Sequence, residues 1–137
     1  MDIERRKNEF KEHHKHPMNL LFHLFCGIIY TALFFSLFPS YVYVVYVVFT
    51  LYLFPNVGVL LLLAVLPLLA QSFRLSNLAT ISAIILFYFA PDITHYLTKE
   101  ETVLNINTVT VYDLIDNFFF LLPHTILCLL PQLNVSL

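Results

Sequence analysis

Between Lys15 and Arg74 the chain carries no formal charge at all. An apolar length this great cannot be buried in the core of a small soluble domain, and it restricts the fold more than any other feature. Inside a hydrocarbon layer every backbone polar group must find its partner within the chain, so helix is expected throughout. That holds even for residues 41–54, whose Val, Tyr and Phe content would read as strand in a soluble protein. The rest of the composition agrees. Of 137 residues, 59% are hydrophobic and 12% charged, with a mean hydropathy of +0.79.

Prolines and polar breaks divide the apolar length. Pro39-Ser40, Pro55-Asn56 and the stretch QSFRLSN at 71–77 interrupt it, and Pro91-Asp92 and Pro131 close later segments. The expected fold is an all-α membrane protein, a single domain of about four to five transmembrane or re-entrant helices. These cover residues 18–38, 41–54, 57–73, 77–90 and 111–130, preceded by a short polar arm at 1–16. The second segment is only ~21 Å long at the helical rise, so segments two and three either borrow flanking residues or form a re-entrant hairpin. Pro67 should kink the third helix. Tyr41 and Tyr52, near segment ends, partly fit an interfacial belt. Residues 93–110 form a polar stretch, and a short neutral tail follows Pro131.

The arm holds five of the seven Lys and Arg residues, an excess that should keep it cytosolic. It is too polar for a signal peptide, so the first span is expected to remain as a transmembrane helix. Short helical turns on the membrane surface, anchored by Phe10, are one reading of the arm, and a solvated segment is the other. Cys26 and Cys128 both fall within apolar segments, without CxxC or zinc spacing, and read as small hydrophobes. Two glycines in the whole chain exclude a nucleotide cradle, there is no GxSxG nucleophile elbow, and nothing points to nucleic acid.

Chemistry concentrates where the arm meets the first span. His14, Asn19 and His23 stand there, and imidazoles and an amide at the edge of a hydrophobic segment are costly without partners. Asn19 and His23, four apart, share a helix face. His14 and His23, nine apart, would oppose one another on an unbroken helix. Pro17 resolves this, because a helix starting there leaves His14 in a separate arm able to fold back on His23. Metal ligation by the two histidines competes with ordinary interfacial placement. Asn19 suits orientation of a ligand or substrate better than ligation, and His13 and His16 read as water-facing.

Parity brings in a third histidine. Whether four crossings or two precede it, the stretch after Pro91 returns to the side of the arm, which puts His95 level with His14 and His23. Asp92, three residues earlier, either orients that imidazole or caps the turn. Glu100 and Glu101 are either solvated or supply one carboxylate. Asp113 and Asp116 lie ~3–8 Å into the last segment, near the ~9 Å depth of His23, yet they also fit the acidic preference of a helix start. His124, ~20 Å deep, reads as a hydrogen-bonded bundle histidine.

The pattern His14-x4-Asn19-x3-His23, with Pro17 inside it, resembles the N-terminal signature of the small multi-span 2-hydroxy fatty acid dioxygenases of the endoplasmic reticulum, typified by the fungal protein of phytosphingosine breakdown. That family has a second motif, a histidine followed four residues later by glutamate. His95 falls at the matching place, with Lys99 in the fourth position and the glutamates at Glu100 and Glu101. The family's proline-alanine step is absent. Leu114-Ile115-Asp116-Asn117 followed by Pro123 is similar to the family's final span at altered spacing. The resemblance implies an Fe(II) enzyme that uses O2 to shorten a 2-hydroxy fatty acid by one carbon. It implies His14, His23 and His95 as iron ligands, Asn19 as an orienting group, and Glu100 or Glu101 as a catalytic carboxylate. The alternative is a non-enzymatic membrane scaffold or shaping protein. Six histidines are too few for a two-iron desaturase.

Overall fold

A computed structural model of the chain describes residues 3–101, 107 and 109–132. Residues 102–106 and 108 of the expected polar stretch, and the tail at 133–137, lie outside the described residues. Those described contain eight helices and no strand: α1 (Ile3–His13), α2 (Pro17–Ser36), α3 (Ser40–Leu53), α4 (Val57–Ser72), α5 (Asn77–Phe89), α6 (Pro91–Thr98), α7 (Val111–Phe119) and α8 (Leu121–Gln132).

Local chemistry sets the helix starts. Pro17 occupies the first turn of α2, where its missing N–H is harmless, and the His16 ring accepts from Met18 N at 3.1 Å. Asn56 caps α4 through Gly58 N at 2.8 Å, and Ser76 caps α5 through Ala79 N at 3.3 Å. Thr110 and Asp113 form a reciprocal capping box on α7. The aspartate that sits at the edge of an apolar run is thereby satisfied.

Among the described residues two helices are long and apolar enough to cross a membrane, Pro17–Ser36 and Asn77–Thr98, or three if the bent pair α7 and α8 counts as one. This replaces the expected four to five spans, because α3 and α4, at 14 and 16 residues, are shorter. The fourth segment ends close to the expected residue 90, but a second helix follows at once. Ala90 keeps helical geometry and Pro91 takes the first position of α6, so the helical path runs on to Thr98. His95 therefore sits on a helix rather than in a polar loop, and Lys99, at φ 58°, ends that helix in the left-handed conformation. The last segment is not one helix over 111–130. It bends by 60° between α7 and α8, and α8 continues through Pro131 to Gln132.

Proline explains the bend. In a continuous helix Phe119 O would accept from residue 123, but Pro123 has no N–H and its ring crowds that carbonyl. The Tyr46 hydroxyl donates to Phe119 O instead, at 2.6 Å, and Tyr30 donates to the neighbouring Phe118 O at 2.7 Å. The same substitution occurs at Pro67 in α4, where the freed carbonyl is Leu63 O and the Tyr43 hydroxyl donates to it. Tyrosines, buried at positions 30 and 46 and half-buried at 43, thus serve carbonyls beside the N–H groups that prolines withhold, as an apolar surround demands. The exposed Tyr41 and Tyr52 remain near segment ends.

α2 is the hub, packed against α4, α5, α6 and α8. It meets α8 closely at Gly27, where a Cβ would lie 2.8 Å from Leu122 Cδ2. The outer faces of α3, α4 and α5 expose Val45, Val48, Leu61, Leu68, Leu78 and Leu86, a surface suited to lipid chains rather than water. α1 caps the end of the bundle at which α2 begins. There Lys7 lies 5.5 Å above the Phe54 ring, and Arg6, only 7% exposed, pairs with Asp113 of α7.

Candidate metal centre

Three separate elements deliver three imidazoles to that end. His14 follows α1, His23 lies in the second turn of α2 and His95 in α6, and all three are buried. Their Nε2 atoms form a triangle with sides of 3.2 Å (His14–His23), 3.0 Å (His14–His95) and 3.3 Å (His23–His95). The rings stand nearly perpendicular to one another, at 83–86°. With metal–nitrogen bonds of about 2.1 Å, neighbouring ligand nitrogens lie ~3.0 Å apart in an octahedral shell and ~3.4 Å apart in a tetrahedral one. The observed triangle falls between those limits, and the cluster can hold a metal ion.

The outer ring nitrogens strengthen this reading. His14 Nδ1 is 2.8 Å from Phe10 O and His23 Nδ1 is 2.7 Å from Asn19 O. A carbonyl can only accept, so each Nδ1 carries the proton and each Nε2 presents a lone pair to the centre. Two lone pairs then face each other at 3.2 Å. A single proton on His95 Nε2 can be shared with one of them at full strength but not with both, whereas a cation satisfies all three. An imidazole whose far N–H is held by a backbone carbonyl is also how metal-binding histidines are usually oriented. His95 Nδ1 is buried without a partner among the described residues, and Asp92, exposed to solvent, does not supply one.

Phe10 roofs the centre. It is 3% exposed, stacks on His14 at 3.8 Å between centroids, and stacks on His124 at 5.3 Å. It is therefore not a membrane anchor. Burial, reinforced by the nearby His23, pushes His14 down from 6.5 to about 2, so its ring is neutral and competent as a ligand at ordinary pH.

Glu100 holds the arm in place. One carboxylate oxygen accepts from Lys15 N at 2.9 Å and His16 N at 2.7 Å, and the other accepts from the Asn19 amide. Asn19 also donates to Thr98 Oγ1 at 2.7 Å, tying α2 to the end of α6. Its own Oδ1 is buried with no partner among the described residues. Glu100 thus grips the hinge that presents His14. Its carboxylate and that of the exposed Glu101 are not among the ligand atoms that converge on the triangle.

The remaining candidates have structural partners. His124 Nε2 lies 3.2 Å from Asp116 Oδ1 in the bundle interior, as its depth suggested. His13 Nδ1 meets Glu9 O at 2.8 Å, and His16 serves as the α2 cap. Sequence reasoning overlooked Phe10 as part of the site. The signal was available, since Phe10 stands four residues before His14 and is, with Ile3, one of two apolar residues in the stretch 2–13. Comparison with protein-family models, curated proteins and solved structures found no match to this chain.

Proposed function

We propose that this chain is a membrane-embedded non-haem Fe(II) dioxygenase that shortens 2-hydroxy fatty acids by one carbon. The observation that carries the reading is the triangle of three buried Nε2 atoms, two of them locked as acceptors, in a bundle whose outer helix faces expose apolar side chains. Three neutral imidazoles on one side of a divalent ion leave the other side open, which suits iron that must take both substrate and O2. Bound there, Fe(II) would supply a Lewis acid and a site for O2 activation.

The chain's own groups would do the rest. His14, His23 and His95 would hold the ion, and the Phe10 roof would keep water from it. Asn19 Oδ1, buried and without a partner among the described residues, would accept the hydrogen bond of the 2-hydroxyl group and so orient the headgroup. Glu100 would hold Asn19 and the arm in register. The reaction is R–CH(OH)–COOH + O2 → R–COOH + CO2 + H2O. The C1–C2 bond breaks, and the four electrons leaving the substrate are those taken up by O2, so no further reductant is needed. The arm would face the cytosol and the membrane would be that of the endoplasmic reticulum.

The test is reconstituted protein given a 2-hydroxy fatty acid, Fe(II) and O2. The reading expects the acid one carbon shorter, with CO2 released and turnover abolished in His23→Ala. Iron-loaded protein that leaves the acid intact contradicts it.

A further inference from the structure

A cavity of about 240 Å³ lies against the outer side of the metal centre, between the end of α1 and the last turns of α8. Its walls are of two kinds. Lys11, Lys15 and His14 form one, and Leu127, Cys128 and Pro131, with Gln132 at their edge, form the other. Neither lysine side chain has a carboxylate partner among the described residues. The arm's Arg5, Arg6 and Lys7, by contrast, are all paired with acids. Two ammonium groups without a carboxylate partner among the described residues, lining a cavity whose other wall is mostly apolar, match a ligand with an anionic head and a hydrocarbon neck. The volume is below the ~300–1,000 Å³ of sites that enclose a whole drug-sized ligand. It fits a head and its first methylenes, with the remaining chain in lipid.

We propose that this cavity seats the carboxylate head of a single-chain amphiphile. Lys11 and Lys15 hold the carboxylate, and Leu127, Cys128 and Pro131 pack the neck. The inference deepens the proposed function, on which it rests for the placement of a fatty acid beside the metal, and it assigns preference for an acid over a neutral lipid to two residues outside the metal shell. Charge-assisted hydrogen bonds to a carboxylate are the stronger kind, although both lysines are exposed and solvent weakens the effect.

The test uses the full chain in detergent, treated with chelator, and native mass spectrometry to follow the binding of laurate or dodecanol. Laurate has no 2-hydroxyl group and is not turned over, so the readout does not depend on catalysis. We expect one laurate per chain, bound about tenfold more tightly than dodecanol, and about tenfold weaker in Lys11→Gln/Lys15→Gln. Lys11→Arg/Lys15→Arg should retain binding, and millimolar acetate should not displace laurate. Equal binding of the acid and the alcohol overturns the proposal. So does laurate binding that ignores the glutamine pair, or displacement by acetate, which would mark a site for small anions. If one-carbon shortening is absent while laurate binding follows the lysines, the dioxygenase reading fails and the subsite stands. If shortening occurs but laurate ignores the lysines, the subsite alone fails.

Discussion

Removal of the Glu100 carboxylate separates a strut from a ligand. In Glu100→Ala the hinge amides of Lys15 and His16 lose their acceptor, and the fully buried Asn19 amide keeps only Thr98. A hydrogen bond to a charged group contributes about 1.5–3 kcal/mol when protected, and the two hinge bonds are exposed, so each is discounted to well under 1 kcal/mol. The sum is about 3 kcal/mol of arm docking, equivalent to up to a hundredfold in the affinity of a centre that needs His14. Glu100→Gln keeps one acceptor oxygen and should fall between, at about tenfold. The assay is competition between the protein in detergent and a chromophoric chelator, with Co(II) as a spectroscopic probe. The expected result is weaker binding with an unchanged Co(II) ligand-field spectrum at saturation, because the ligand set stays the same. A changed spectrum makes Glu100 a ligand. Affinity within twofold of wild type in folded Glu100→Ala refutes the strut.

Phe10→Ala opens a void between His14 and His124 and should cost about 3–4 kcal/mol of local stability, read as faster proteolysis of the arm and weaker metal retention. Unchanged arm protection argues against the roof. Tyr46→Phe strands the Phe119 carbonyl and should destabilise by about 1–3 kcal/mol in thermal unfolding, whereas in a Pro123→Ala background, where residue 123 regains its N–H, the cost should shrink. Additive effects in that cycle contradict the proposed exchange of donors. In metal-free protein His14 is held near 2 in the folded state and titrates near 6.5 when unfolded, so the unfolded chain binds the extra proton. Stability is then full above pH 6.5 and declines below it, by about 2 kcal/mol at pH 5, and His14→Gln should flatten that slope. A denaturation series in which wild type and His14→Gln fall in parallel excludes His14 as the source.

The sequence carried the architecture at the level of composition and punctuation. A charge-free run longer than any core, broken by proline, leaves helix as the only solution, and Pro17 correctly placed the start of α2 and freed His14 to fold back. At Pro91 the expected end of the fourth segment holds, since α5 stops at Phe89, but the same ring also sits in the first turn of α6 and the helical path goes on to Thr98. The rule that proline breaks a helix does not distinguish those two positions without knowing the geometry of Ala90. At Pro123 the break itself was real, but its consequence depended on Tyr30 and Tyr46, which lie far away in sequence. Within the site, the fold-back of His14 onto His23 was readable from Pro17 and the side on which His95 lies from parity, whereas the similar depth of Asp113 and Asp116 misled, since these pair with Arg6 and His124 outside the triangle. The grip of Glu100 on the Lys15 and His16 amides was not readable. Backbone donors leave no trace in residue identity, and a carboxylate after a helix end looks solvated until its partners are placed.

If three imidazoles from three elements share one cation, a metal count will show it. Protein purified in detergent, loaded with Fe(II) under anaerobic conditions and freed of excess, should carry one iron per chain by elemental analysis. His14→Ala, His23→Ala and His95→Ala should each reduce this to a small fraction while remaining folded. Wild type with no bound metal, or single variants that keep a full equivalent, would contradict the account.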